Sequence, residues 1–167
     1  MTVEELNLAL RQIAEKYAEV AEEVLGENLV SIALFGSVAR GEAGPSSDID
    51  LFIVCRHLPR GMFKRHKLLE PVRQRLQGEL ERLWRQGVYA DFTELICTEE
   101  EARRFRWIYL EMIEEALILF DRGGFLKEVF ESLRKRLREL GAQRKRMGKV
   151  RYWDLKPDLK PGEVVEL

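Results

Sequence analysis

The sequence predicts an α/β (α+β) protein: a small mixed sheet flanked by helices, continued by a helical C-terminal part. Three observations carry this expectation. Two short apolar runs, Leu29–Phe35 and Ile49–Cys55, have the length of buried strands. Longer segments around them repeat their apolar residues at spacings of three and four, as a one-sided helix does. The order helix, strand, strand, helix, strand, then helices stacks helical layers against a single sheet.

Thr2 and Glu5 form a capping-box pair, and Leu6, Leu10, Ile13, Tyr17, Val20 and Val24 then mark one face of a first helix that Gly26 ends. After the strand Leu29–Phe35, a Gly36-Ser37 turn leads into a short helical segment. The loop from Gly41 to Ser47 follows, rich in Gly, Pro and Ser. Beyond the strand Ile49–Cys55, the charged region from Phe63 to Gln86 carries Leu69, Val72, Leu76, Leu80 and Leu83 at helical spacing, with Pro71 at a helix start or kink. Gly87 closes it. Val88–Cys97 reads as a third strand with Tyr89, Asp91, Thr93 and Leu95 on one face. Thr98 and Glu101 repeat the capping-box signal for a helical region expected to reach Phe120. A turn at Asp121–Gly124 precedes a last helix marked by Leu126, Val129, Leu133, Leu137 and Leu140. The basic, aromatic and then Pro-bearing remainder is expected to wrap the surface as an extended tail.

A chain of 167 residues suits one core, and 46% apolar residues exclude a disordered chain. Charged residues at 34%, with only two Asn, lean towards a heat-adapted source. A net charge of −1 argues against a surface that binds nucleic acid all over, while leaving room for a local basic patch. Cys55 and Cys97 lack metal-ligand spacing and read as buried thiols, and His57 and His66 form no ligand pattern. No segment has the length of a membrane span, and the first residues are acidic and amphipathic, so a soluble, cytoplasmic protein is expected.

The chemistry concentrates at the head of the second strand. Asp48 and Asp50, two apart, project to the same side and repel one another unless a cation lies between them. Mg²⁺ takes one or two carboxylates and fills its other positions with water and phosphate oxygens, which makes this pair a holder for a nucleoside triphosphate. Gly36 lets backbone approach a ligand, Ser37 offers a hydroxyl, and Arg40 a fork of donors for phosphate. The plainer readings are carboxylates that cap exposed amides at a loop-to-strand transition and a solvated surface arginine.

The string Gly36-Ser37-x-x-Arg40-Gly41, followed by Ser47-Asp48-Ile49-Asp50-Leu51, resembles the signature of the DNA polymerase beta superfamily of nucleotidyltransferases, in particular its minimal branch. The order of elements extends the similarity from Leu29 to about Cys97, and the segment from Tyr109 onward is similar to small archaeal nucleotidyltransferase-domain proteins. The resemblance implies a nucleotidyltransferase domain over residues 1–121, with residues 122–167 as a C-terminal helix and basic, extended tail packed on it. It implies transfer of a nucleoside monophosphate, AMP from ATP in the leading reading. Two Mg²⁺ ions, with Mn²⁺ an alternative, would be held by Asp48 and Asp50, and the triphosphate by Gly36 and Ser37, with Arg40 and Ser47 completing the phosphate set. A third carboxylate would come from a neighbouring strand. Asp91 is the choice by parity, Glu94 being opposite; the plainer reading makes both edge-strand charges that discourage aggregation. If neither reaches the metals, nucleotide binding without efficient turnover is what remains.

The resemblance offers a protein acceptor, as in antitoxins that adenylylate a HEPN-type toxin, or a small molecule, as in aminoglycoside-modifying relatives. The short chain favours a protein acceptor or a site completed by a partner. The rival is a catalytically weak antitoxin or regulatory module that occupies a partner, and a homo-oligomer stays open. Arg134, Lys135, Arg136, Arg138, Arg144, Lys145, Arg146, Lys149 and Arg151, with Tyr152 and Trp153, could hold RNA, but a solvated face with the aromatics as tail anchors is the preferred reading.

Overall fold

The computed structural model describes residues 1–167. Helix α1 (Val3–Leu25) begins at the expected capping box: Glu5 N–H donates to Thr2 Oγ1 (3.1 Å) and Thr2 N–H to Glu5 Oε2 (2.7 Å). Strand β1 (Leu29–Phe35) is buried along its whole length and runs into the short helix α2 (Gly36–Arg40). Strand β2 (Ile49–Cys55) returns antiparallel to β1. The crossover comprises α3 (Met62–Lys67) and α4 (Glu70–Trp84), with Pro71 in the first turn of α4, where its missing N–H costs nothing. Strand β3 (Phe92–Thr98) lies parallel to β2.

Three expectations need correction. The third strand begins at Phe92 and not at Val88, because ladder pairing with β2 begins where Ile49 N–H donates to Asp91 O (2.8 Å). The region from Thr98 to Phe120 is not one helix: α5 (Glu99–Arg103) and α6 (Tyr109–Glu115) are followed by strand β4 (Leu117–Asp121). With β2 on one side, β1 still has a row of backbone groups to satisfy on the other, and β4 pairs there antiparallel. After α7 (Phe125–Glu139), the tail forms a hairpin of β5 (Gln143–Met147) and β6 (Val150–Asp154) and does not simply lie extended. The two-residue loop between them starts with Gly148 at φ +62°, a left-handed backbone that glycine adopts without strain.

The mixed sheet has the order β3-β2-β1-β4. Its two faces bury different helices. Leu10, Ile13 and Tyr17 of α1 and Val72, Leu76 and Leu80 of α4 pack with Leu34, Leu51 and Ile53 in the larger core. Tyr109 and Met112 of α6 and Leu126, Phe130 and Leu133 of α7 pack with Ala33, Phe52 and Val54 in the other. Asp121, at the end of β4, joins the layers: it accepts from Ser31 Oγ (2.6 Å) and from the N–H groups of Leu126 (2.9 Å) and Lys127 (3.0 Å) at the start of α7. Cys55 and Cys97 are free and buried, and burial pushes their thiols up to about 11 and about 12 respectively.

One charged cluster sits inside the larger core. Glu94 on β3 has a fully buried side chain that accepts from Tyr17 Oη (2.8 Å), Arg73 Nε (2.8 Å) and Arg73 Nη2 (2.5 Å). Burial, then the Glu94 charge, raises the Tyr17 hydroxyl well above the ordinary phenol range. Arg73 also donates to Phe92 O (2.7 Å), so α4 grips both the side chain and the backbone of the edge strand. Removing one partner of a buried ion pair leaves an uncompensated charge, whereas replacing both does not. Arg73→Met is therefore expected to destabilise the fold by roughly 3 kcal/mol in urea unfolding, and adding Glu94→Leu to recover most of that loss.

Candidate functional site

Strand β1 ends at Phe35, which pairs with Asp50 across the antiparallel ladder. The chain then turns at Gly36 with φ +72°, in the left-handed region. A side chain at Gly36 would place its Cβ 2.2 Å from Asp50 Oδ2. Glycine is required here twice, by conformation and by the carboxylate that fills its empty side. Helix α2 runs only from Gly36 to Arg40 and closes on the left-handed Gly41. The following loop is braced by Gly44 N–H donating to Ser47 Oγ (2.9 Å) and by Asn7, which bonds both backbone groups of Ala43.

On β2, register pairs Asp50 with Thr93 of β3, and the alternation of the pleat puts Asp48, Asp50, Asp91 and Thr93 on one side of the sheet. Asp48 Oδ1 accepts from Asp91 N–H (3.2 Å), and Thr93 Oγ1 approaches Asp48 Oδ2 at 3.5 Å. Asp48 is exposed and Asp50 half-buried. Burial, then the neighbouring Asp48 charge, raises the Asp50 carboxyl above its ordinary value, with Arg40 pulling the other way. Two adjacent carboxylates in which one is strained by the other's charge form a donor set that suits a hard divalent cation. No third carboxylate, histidine or cysteine converges with them as a metal-binding group.

The other expected site residues are arranged differently. Asp91 shares the face, but its Oδ1 accepts from Phe92 N–H (2.7 Å) and lies 3.6 Å from Arg73 Nη1. Glu94 is on the opposite face, in the Arg73–Tyr17 cluster. Arg40 leans away from the carboxylate pair, with Nε donating to Glu42 (2.9 Å) and Nη1 to Glu115 (3.2 Å); the Glu42 bond leads in raising its pKa, against burial. Ser37 is half-buried in the first turn of α2, beside Gly36. Two residues of the site carry no signal in the sequence: Arg73, which holds Asp91 from α4, and Glu115, which holds Arg40. Nothing in their sequence neighbourhoods distinguishes them from other surface charges.

The model of the nucleotidyltransferase domain family matches residues 14–155, from within α1 to just past β6. The chain is 27% identical over 125 residues to a Methanocaldococcus jannaschii protein named "Putative protein adenylyltransferase MJ1305", covering 75% of this chain and 81% of that protein. Among solved structures it is similar to a chain from a toxin-antitoxin complex with AMP-PNP (15% identity, TM-score 0.46, 76% of this chain and 92% of that one). It is also similar to a chain from a complex of tri-AMPylated Shewanella oneidensis HEPN toxin with MNT antitoxin (13% identity, TM-score 0.40, 79% of this chain and 92% of that one). With the family match spanning most of its length, the chain belongs to the nucleotidyltransferase domain family.

Proposed function

We propose that the chain transfers AMP from ATP to a hydroxyl of a partner protein, acting as the antitoxin that modifies a HEPN-type toxin. The observation that carries this reading is the Asp48–Asp50 pair seated against the side-chain-free turn at Gly36. The M. jannaschii relative, named for adenylyl transfer to protein, supports the nucleotide and the acceptor class. The HEPN partner follows from the resemblance carried by the Gly-Ser and Asp-x-Asp motifs.

Asp48 and Asp50 would hold Mg²⁺, or Mn²⁺, as two ions, and Asp91, on the same face, would supply the third carboxylate on leaving Phe92 N–H and Arg73. Bound there, the ions would neutralise charge on the α-phosphate and on the departing pyrophosphate. The chain's own residues do the rest. The backbone N–H groups of the Gly36-Ser37 turn and the Ser37 hydroxyl would donate to the phosphates, and Ser47 keeps the intervening loop in place. Arg40 exchanges its glutamate partners for phosphate oxygens. The acceptor oxygen bonds to the α-phosphorus, the bond to the bridging oxygen breaks, and the hydroxyl proton passes to Asp91. Positioning of the reactants is the protein's main contribution.

A second reading has its own support. Asp91 is engaged by Phe92 N–H and Arg73, and Arg40 by two glutamates. A chain that kept those contacts with nucleotide bound would occupy its partner without turnover, as a regulatory module.

Incubation with ATP labelled at the α-phosphate, Mg²⁺ and a HEPN-type partner separates the two. Label should move to the partner and fall at least about 100-fold in Asp48→Asn and in Asp50→Asn, with partner binding unchanged. Transfer that survives both substitutions rejects the Asp pair as the reactive centre, and binding without any transfer selects the regulatory module.

The same pair makes a stability prediction. An acid whose folded-state pKa is raised contributes stability that is present below its unfolded pKa and is lost as pH rises through the folded value. At neutral pH without divalent ions, Asp50→Asn is therefore expected to raise Tm. The gain should disappear as pH falls below the ordinary aspartate range; thermal scans across pH check it.

A further inference from the structure

The C-terminal hairpin turns a charged side towards the rest of the chain. Register puts Arg144, Arg146 and Arg151 on one side of the ladder with Trp153, and Met147, Val150 and Tyr152 on the other, where all three are exposed. Trp153 is the anchor: it packs against the α6–α7 core, its Nε1 donates to Leu110 O (3.2 Å), and the Arg144 guanidinium covers its ring at 5.5 Å.

Between the hairpin, α2 and α6 lies a cleft of about 440 Å³ with no apolar residue in its walls. Five cations line it: Arg40, Arg144, Arg146, Lys149 and Arg151. Three carboxylates share it, and two of them, Glu42 and Glu115, are engaged by Arg40. Glu115, with only 18% of its side chain exposed, reaches both ways, to Arg40 Nη1 at 3.2 Å and to Arg151 Nη1 at 3.6 Å. It links the hairpin to the helix that starts at Gly36. Arg146 bonds only the carbonyl of Gly148 within its own turn, Lys149 has no carboxylate in ion-pair range, and the buried Arg144 Nε has no aligned acceptor although Glu114 is 3.3 Å away.

Converging cations repel as the two aspartates do, and here the excess charge is positive. Walls without apolar or aromatic side chains offer nothing to a nucleobase, and the one tryptophan of the hairpin is spent on anchoring. The ligand that fits is compact and multiply anionic. Arg40 closes the five-residue helix that begins at Gly36, so one short helix separates this cleft from the turn that seats Asp50.

We propose that this cleft is a polyphosphate site, in which the C-terminal hairpin receives the β- and γ-phosphates of the nucleotide and holds the pyrophosphate once it is released. The source of the polyphosphate rests on the nucleotidyl-transfer reading above; the anion chemistry of the cleft does not.

Calorimetric titration of inorganic tripolyphosphate into the full chain, without divalent metal, tests it. Binding should weaken as salt rises and fall roughly fivefold in each of Arg146→Gln and Lys149→Gln. Arg146→Lys should retain most of it, and Arg60→Gln, an exposed charge outside the cleft, should not change it. Both glutamine substitutions lie on exposed positions, and circular dichroism verifies that the variants fold. Wild-type-like tripolyphosphate binding in the variant that combines Arg146→Gln with Lys149→Gln overturns the proposal while AMP transfer dependent on Asp48 and Asp50 still stands. Hairpin-dependent tripolyphosphate binding in a chain that transfers no AMP keeps the cleft and rejects the transfer reading. Single-stranded RNA that binds more tightly than tripolyphosphate, and is lost in the same variants, overturns the proposal in favour of a nucleic-acid groove.

Discussion

The close seating of Asp50 against Gly36 is the constraint on which the site depends. It requires antiparallel register between β1 and β2, because a slip by one residue would turn Asp50 to the other side of the sheet. It also requires a residue without a side chain at the turn. A carboxylate placed there, half-buried beside Asp48, is less favourable as an anion than one in water. The fold carries that cost because both strands are anchored by apolar layers on either face.

The surrounding charges form two systems on opposite faces of one sheet. On the larger core side, Glu94 is satisfied by Tyr17 and Arg73, which locks the edge strand to α1 and α4. On the other, Arg40, Glu115 and the hairpin arginines are only partly matched. A matched buried cluster stiffens a fold, and an unmatched exposed one attracts ligands. Arg73 touches both systems through Asp91, so the stiff side of the sheet sets where the Asp91 carboxylate can lie on the other.

How much of this was legible in the sequence follows from how local each signal is. Strands β1 and β2 were readable to the residue, since each is a continuous apolar run bounded by turn residues. The first helix was readable from its cap and stripe. Strand β4 was not, because Ala-Leu-Ile-Leu-Phe has no period of its own and follows a helical stretch; pairing with the free side of β1 decided it. The hairpin was hidden for another reason: its inward residues are arginines, so alternation of hydrophobicity carries no sign of a strand. Gly36, Ser37, Asp48 and Asp50 stood out as a motif because they lie within fifteen consecutive residues. Arg73 and Glu115 act through tertiary contacts and left no comparable trace.

The parallel pairing of β2 with β3 has a bearing on biosynthesis. Parallel strands need a crossover, and here α3 and α4 supply it, so the bond from Asp91 to Asp48 spans 43 residues. A chain leaving the ribosome exposes its acidic pair well before the edge strand exists to seat it. The backbone contact that braces Asp48 is thus completed only once the crossover has docked.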